Sequence, residues 1–403
     1  MGNEITNIFF VCVMISKEPS PCYIVDEKKL LKNLELIESV SRRADVEIVL
    51  ALKAFANWKL FPIMRRYVSH TTASSLYEAR LSADYFGGLT YSYSPAYENE
   101  SFDELLKFSG HVTFNSLSQY LRFLPLVKRF NETAGKHRVS VGLRINPEYS
   151  EIETDLYNPC AIGSRFGVKR NQLGDKLPEG IEGLHFHCLC ENDSSTLQNV
   201  LYRVESRFGC FLDQAKWLNL GGGHLVTRQG YDIELLVDCI NRIHEHHPGL
   251  RIVMEPGSAF LWQTGYLRST VVDIVKSDNI STAILNVSFT CHMPDCLEMP
   301  YWPNVRGAET LEKLMPDEAS KISNVYRLGG NSCLSGDFMG FWKFDKPLNV
   351  GDDIVFEDMI HYTTVKTNMF NGINHPSIAV KHLDGNIEIL KRFTYDDYRD
   401  RMD

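Results

Sequence analysis

The stretch Glu47-Ile-Val-Leu-Ala-Leu-Lys53-Ala-Phe55 reads as a strand buried on both faces, with a lysine near its end. Apolar runs of this length without alternation suit a parallel sheet covered by helices. The flanking sequence has the matching texture. Asp26 to Arg43 is helical in period, with Leu30, Leu31, Leu34, Ile37 and Val40 on one face. Further strands are expected at 71–74, 90–93, 111–114, 139–145, 181–187, 217–220 and 251–254, and Tyr23-Ile-Val reads as one more. Helical stretches at 60–67, 76–85, 100–108, 117–130, 196–212 and 232–245 fit between them. About eight strands alternating with about eight helices spell an α/β fold, a (β/α)8 TIM-like barrel over residues 24–260. A doubly wound open sheet is the alternative.

The texture changes after Ser258. Short strands at 270–275, 281–287, 325–328, 353–356, 378–380 and 387–390 are separated by Gly and Pro turns. They predict a C-terminal all-β domain over 261–403. The apolar run Ile8 to Ile15, within the N-terminal segment 1–23, can add a strand to it. A chain of 403 residues favours two such units.

Composition narrows the function. With 44% hydrophobic and 23% charged residues, the chain can bury a large core and is not a disordered one. A net charge of −9 disfavours nucleic acid as a partner and suits a cationic small molecule. The ten cysteines show no zinc spacing, so free thiols in a reducing, cytoplasmic compartment are expected. Ile8 to Ile15 is too short to span a bilayer and lacks a basic flank, so no membrane partner is expected. Met1-Gly2 to Thr6 fits a myristoylation pattern only loosely, and Met14 is an alternative start.

Several residues carry chemistry. Desolvation in an apolar run moves Lys53 toward the free amine, a candidate Schiff-base former; the alternative is a lysine whose head snorkels to water. Gly221-Gly222-Gly223 in Asn219-Leu-Gly-Gly-Gly-His224 follows a strand and precedes a helical stretch, which exposes backbone N–H groups suited to a phosphate; a tight turn is the alternative. Glu255, in Glu255-Pro256-Gly257 at a strand end, is a plausible carboxylate partner for a protonated ring nitrogen. Alternation puts His185 and His187 on one face, as metal ligands or as rings stacked on a planar cofactor. No acid-rich set at metal spacing accompanies them, so no metal is expected. Gly329-Gly-Asn-Ser-Cys333-Leu-Ser-Gly-Asp337 is a glycine-rich loop with a thiol and a carboxylate, and a partly exposed thiol can serve as an acid–base group. Tyr362 brings a phenol near Phe370-Asn-Gly372.

In this order, these motifs resemble the pyridoxal-phosphate (PLP) decarboxylases of the alanine-racemase-like fold, over nearly the whole chain from Tyr23 to Arg392. Arg144-Ile-Asn-Pro147 and Ser164-Arg165-Phe-Gly167 add to the likeness. The resemblance implies that Lys53 holds the cofactor and that His187 stacks on its ring. It implies a phosphate held by Gly221, Gly222, Gly223 and Tyr362, and a ring nitrogen kept protonated by Glu255. It also implies that Cys333 protonates the substrate carbon, and that Cys333 and Asp337 reach the partner's site in a homodimer. Two positions depart from the pattern: Ser258 stands where the family usually has Arg, and Cys188-Leu189-Cys190 replaces a usual Gly-Ser.

Gly183 to Glu191 and Phe289 to Glu298 look specifically like the carboxynorspermidine and carboxyspermidine branch. That implies a decarboxylase of polyamine and spermidine biosynthesis, with Asp295 meeting the substrate's distal amine. The competing expectations are a diaminopimelate, ornithine or arginine decarboxylase, a non-catalytic PLP-binding barrel, and a metal-dependent hydrolase built on His185 and His187.

Overall fold

A computed structural model describes residues 18–135, 137–152 and 157–403. The Ile8 to Ile15 run, the myristoylation pattern and Met14 lie outside the described residues.

The first barrel strand is bent at Val49. Val46–Ile48 pairs in parallel with Arg251–Met254, whereas Leu50–Ala51 pairs with Thr71–Ala73. Hydrogen bonds from Val49 N–H to Met254 O (2.9 Å) and from Leu50 N–H to His70 O (3.1 Å) carry the strand from one neighbour to the other. That bend closes a ring of parallel strands running onward through Thr90–Tyr93, Ser109–Phe114, Ser140–Asn146, Gly183–His185 and Trp217–Asn219. A closed barrel leaves no sheet edge to protect.

The outer helices form where sequence period and caps agree. Glu27–Ala44 buries Leu30, Leu34, Ile37, Val40 and Ala44, and Asp26 caps it by accepting from Lys29 N–H. Ser75, Ser116 and Asp232 cap the helices that begin at Leu76, Leu117 and Ile233. The alternation lapses once. Among the described residues between Asn146 and Gly183 there is only a short strand, Val168–Lys169, and a 3-10 turn, Arg170–Gln172.

The second sheet is mixed. Its order is Ala308–Thr310, Phe338–Phe344, Val325–Gly329, Ile280–Leu285, Gly265–Ser277, Cys22–Asp26, Ser377–Lys381 and Ile387–Lys391, with Asp353–Glu357 paired to Gly265–Ser277. Short helices, among them Phe289–His292 and Pro294–Glu298, accompany it. Cys22–Asp26, which reads in sequence like one more barrel strand, joins this sheet between Gly265–Ser277 and Ser377–Lys381. Both of its faces are buried: Cys22 and Ile24 pack with Tyr266 and Ala379, while Tyr23 and Val25 join the main core. Burial on both faces erases the alternation that would tell the two sheets apart. Phe338–Phe344 has no counterpart among the expected strands. Gly340 interrupts its pattern, because a Cβ there would lie 2.9 Å from the Trp302 ring.

Candidate active site

The C-terminal ends of the barrel strands converge on one polar cluster, the place where a parallel barrel exposes side chains for chemistry. Lys53 follows the first strand and is half-buried. Burial lowers its proton affinity and Arg144 adds to that, whereas Glu255 works against them. Among the described residues its amine has no hydrogen bond or ion pair of its own.

Glu255 follows Arg251–Met254 and is 6% exposed. Its Oε1 accepts from Asn219 Nδ2 at 2.7 Å. Burial raises its proton affinity, with Lys53 and Asn219 pulling the other way. A carboxyl in this state can share a proton with a basic ring nitrogen.

His187 is oriented by the backbone. Its Nδ1 lies 2.8 Å from Gly222 N–H, which can only donate. Nδ1 is therefore unprotonated and the ring proton sits on Nε2. Burial, Lys53 and Arg144 hold the imidazole neutral, well below its usual range. Arg144 braces the same region: Nη1 donates to Tyr93 Oη at 2.5 Å and Nη2 to His187 O at 3.2 Å. His185 is buried, with both ring nitrogens unpartnered and the edge of Tyr93 beside it. Among the described residues no group of three His, Cys, Asp or Glu is placed to hold a metal ion.

The glycine run departs from its expected setting. The next helix begins only at Ile233, so Gly221 to Gly223 form a loop and not a helix N-terminus. Glycine is still required at all three positions. A Cβ would lie 2.4 Å from Phe186 O at Gly221, 2.6 Å from Glu255 O at Gly222 and 2.1 Å from Leu189 O at Gly223. Gly221 and Gly223 also have φ of 70° and 89°. The Gly221 and Gly222 N–H groups already bond Asn219 Oδ1 and His187 Nδ1.

Tyr362 closes the cluster from the second sheet. Its N–H donates to Ala54 O at 2.8 Å, one residue past Lys53. Its hydroxyl lies 3.5 Å from where a Gly257 Cβ would stand. Its backbone sits at φ 56°, ψ −43°, a conformation that a bulky residue adopts only when its surroundings impose it. Burial first, then the charges of Cys190, Glu191, Asp295 and Glu255, keep the phenol protonated.

Asp295 and Glu298 lie on the short helix Pro294–Glu298. Both already hold a cation, since Lys366 Nζ bonds Asp295 Oδ1 and also Glu298 Oε2 at 2.7 Å. The charges felt by Cys190, among them Lys53 and Asp295, link this pair to the barrel mouth.

Cys333 and Asp337 are not drawn into the cluster within this chain. Cys333 is exposed, with its N–H on Asn371 Oδ1 at 2.9 Å. Asp337 is buried and accepts from Ser332 Oγ at 2.6 Å, Ser332 N–H at 3.2 Å and Thr290 N–H at 3.1 Å. Its carboxylate organises the loop that carries Cys333. Lys366 is absent from the sequence-based site, and Arg144 and Asn219 figure there only as parts of motifs.

Comparisons with known proteins converge on one family. The family described as pyridoxal-dependent decarboxylase, C-terminal sheet domain, matches residues 22–360. The chain is 48% identical over 388 residues to a carboxyaminopropylagmatine decarboxylase of Synechocystis sp., covering 96% of each chain. It is 38% identical to a carboxynorspermidine/carboxyspermidine decarboxylase of Campylobacter jejuni, over 95% of this chain and 98% of that one. The crystal structure of carboxynorspermidine decarboxylase complexed with norspermidine, also from Campylobacter jejuni, superposes with a TM-score of 0.84 at 37% identity, covering 95% of this chain and 100% of the other.

Proposed function

The chain belongs to the pyridoxal-dependent decarboxylases, and we propose that it removes the carboxylate of carboxynorspermidine or carboxyspermidine to release norspermidine or spermidine. The single observation that carries the reading is the meeting of Lys53, Glu255 and a tautomer-fixed His187 at one barrel mouth. PLP, the family's cofactor, supplies an electron sink for the pair released when the carboxylate leaves. The residues present fit it: an amine of lowered proton affinity, a neutral ring for stacking, a carboxyl of raised proton affinity, and a loop that admits only glycine.

The roles follow from these states. Lys53 would hold the cofactor through its amine, whose proton affinity burial lowers. His187 would stack on the cofactor ring, its imidazole plane held by Gly222 N–H. Glu255, kept in place by Asn219, would share a proton with the ring nitrogen. Gly223 N–H and the Tyr362 hydroxyl would hold the phosphate, with Gly221 and Gly222 shaping the loop. Cys333 donates a proton to the α-carbon from the thiol of a partner subunit, and Asp337 serves the substrate through the loop it organises. Asp295 meets the distal amine.

A homodimer is part of this reading: Cys333, Leu334, Phe338 and Phe370 are exposed on the single chain. Mixing inactive Lys53→Ala with inactive Cys333→Ala subunits should restore partial activity if sites are shared. A cytoplasmic setting agrees with the free thiols among the described cysteines. No described helix is long and apolar enough to cross a membrane. Residues 24–260 and 261–403 are taken as the two domains, with residues 24–26, at the end of Cys22–Asp26, going to the second because that strand pairs within its sheet.

The 48% identity to the Synechocystis enzyme favours a second substrate, carboxyaminopropylagmatine. Carbon dioxide release from the three carboxylated polyamines, with diaminopimelate, ornithine and arginine as controls, tests the reading. Turnover of a control without any carboxylated polyamine would overturn it.

A further inference from the structure

Lys366 stands on the turn that follows Tyr362, where its N–H bonds back to Tyr362 O at 3.1 Å. Its ammonium bridges Asp295 and Glu298, and the three side chains are 34%, 23% and 49% exposed. Tyr157 lies within reach of the charges of all three. A primary ammonium at the end of a methylene chain is also the terminal group of an aminopropyl polyamine. The acid assigned to the substrate's distal amine thus already holds the same chemical group, supplied by the protein.

We infer that Lys366 is a resident stand-in for the substrate's distal cation, displaced when the polyamine tail enters. The inference rests on the substrate reading above. Two carboxylates and one ammonium leave one net negative charge, so the subsite attracts a cationic tail and repels a distal carboxylate. The resident cation keeps two neighbouring carboxylates from facing each other unpaired. Displacement is cheap, because a part-exposed ion pair contributes little and a lysine stem swings to water without disturbing the backbone. A tail with two cationic nitrogens can then pair both acids.

Calorimetric titration of norspermidine into the PLP-loaded enzyme, with steady-state kinetics, tests this on Lys366→Met and Lys366→Arg. Met keeps the stem but removes the competitor, so the dissociation constant and KM should fall about fivefold, the scale of one part-exposed pair. Arg, whose fork grips carboxylates harder, should raise both. In the wild type, acetylation of Lys366 read by mass spectrometry should increase when norspermidine saturates the enzyme. Weaker binding by the Met variant, or Lys366 labelling that stays flat or falls on saturation, overturns the inference. A wild type that neither binds norspermidine nor decarboxylates any carboxylated polyamine overturns the substrate reading itself.

Discussion

The two mouths of the barrel are built on the same strands and treat their polar residues in opposite ways. At the N-terminal mouth, Glu47 accepts from His70 Nδ1 at 2.7 Å and from Tyr91 Oη at 2.6 Å. His111 Nε2 accepts from Arg251 at 2.6 Å while its ring lies 4.0 Å from Tyr91. Glu182 binds Ser140, Arg138 and Lys216. These groups close on one another. At the C-terminal mouth, by contrast, Lys53 and both nitrogens of His185 have no partner among the described residues. Closed polar sets stabilise, whereas unpartnered ones are held at a cost and are available for a ligand.

The largest test of that contrast is Lys53→Ala. It should reduce carbon dioxide release on the order of a thousandfold or more and remove the bound cofactor's absorbance, while circular dichroism shows the fold intact. Retained turnover would break the comparison at its strongest point. Glu255→Gln comes next. Losing one preorganised charge should lower kcat by roughly a hundredfold with the cofactor still bound, as single-turnover kinetics would show.

The N-terminal mouth should respond in stability alone. Glu47→Gln should destabilise by about 1–3 kcal/mol in urea unfolding, because buried hydrogen bonds to a charged acceptor are lost, with turnover unaffected. His111 gives the pH signature. Burial, then Arg251, lowers its pKa from 6.5 to about 4. Between those values the unfolded chain binds the proton and the folded chain does not, so stability is lost as pH falls from 6.5 toward 4. His111→Phe should flatten the urea midpoint over that window. An unchanged slope would mean that this mouth is not the closed set described.

The barrel was legible because its signals are local: apolar strands, helical period, and caps such as Asp26 and Ser116. Lys53, Gly221 to Gly223 and Glu255 stood out for the same reason, each at odds with its immediate surroundings. Lys366 did not stand out, since its partners lie 71 and 68 residues upstream and its own neighbours are unremarkable. Arg144 pairs with Tyr93 across 51 residues. The helix expected at 232–245 is present but starts well past Gly223, because glycine with positive φ fits a loop as well as a helix entry.

By itself the sequence determined where most barrel strands and helices lie, where glycines cluster, and that a lysine ends an apolar strand. Only the tertiary structure decided which mouth is closed and which is open, and that Lys366 answers Asp295 and Glu298. The physical reason is that a side chain's proton affinity and pairing depend on burial and on charges within a few ångströms. Both are set by contacts between segments far apart in the chain.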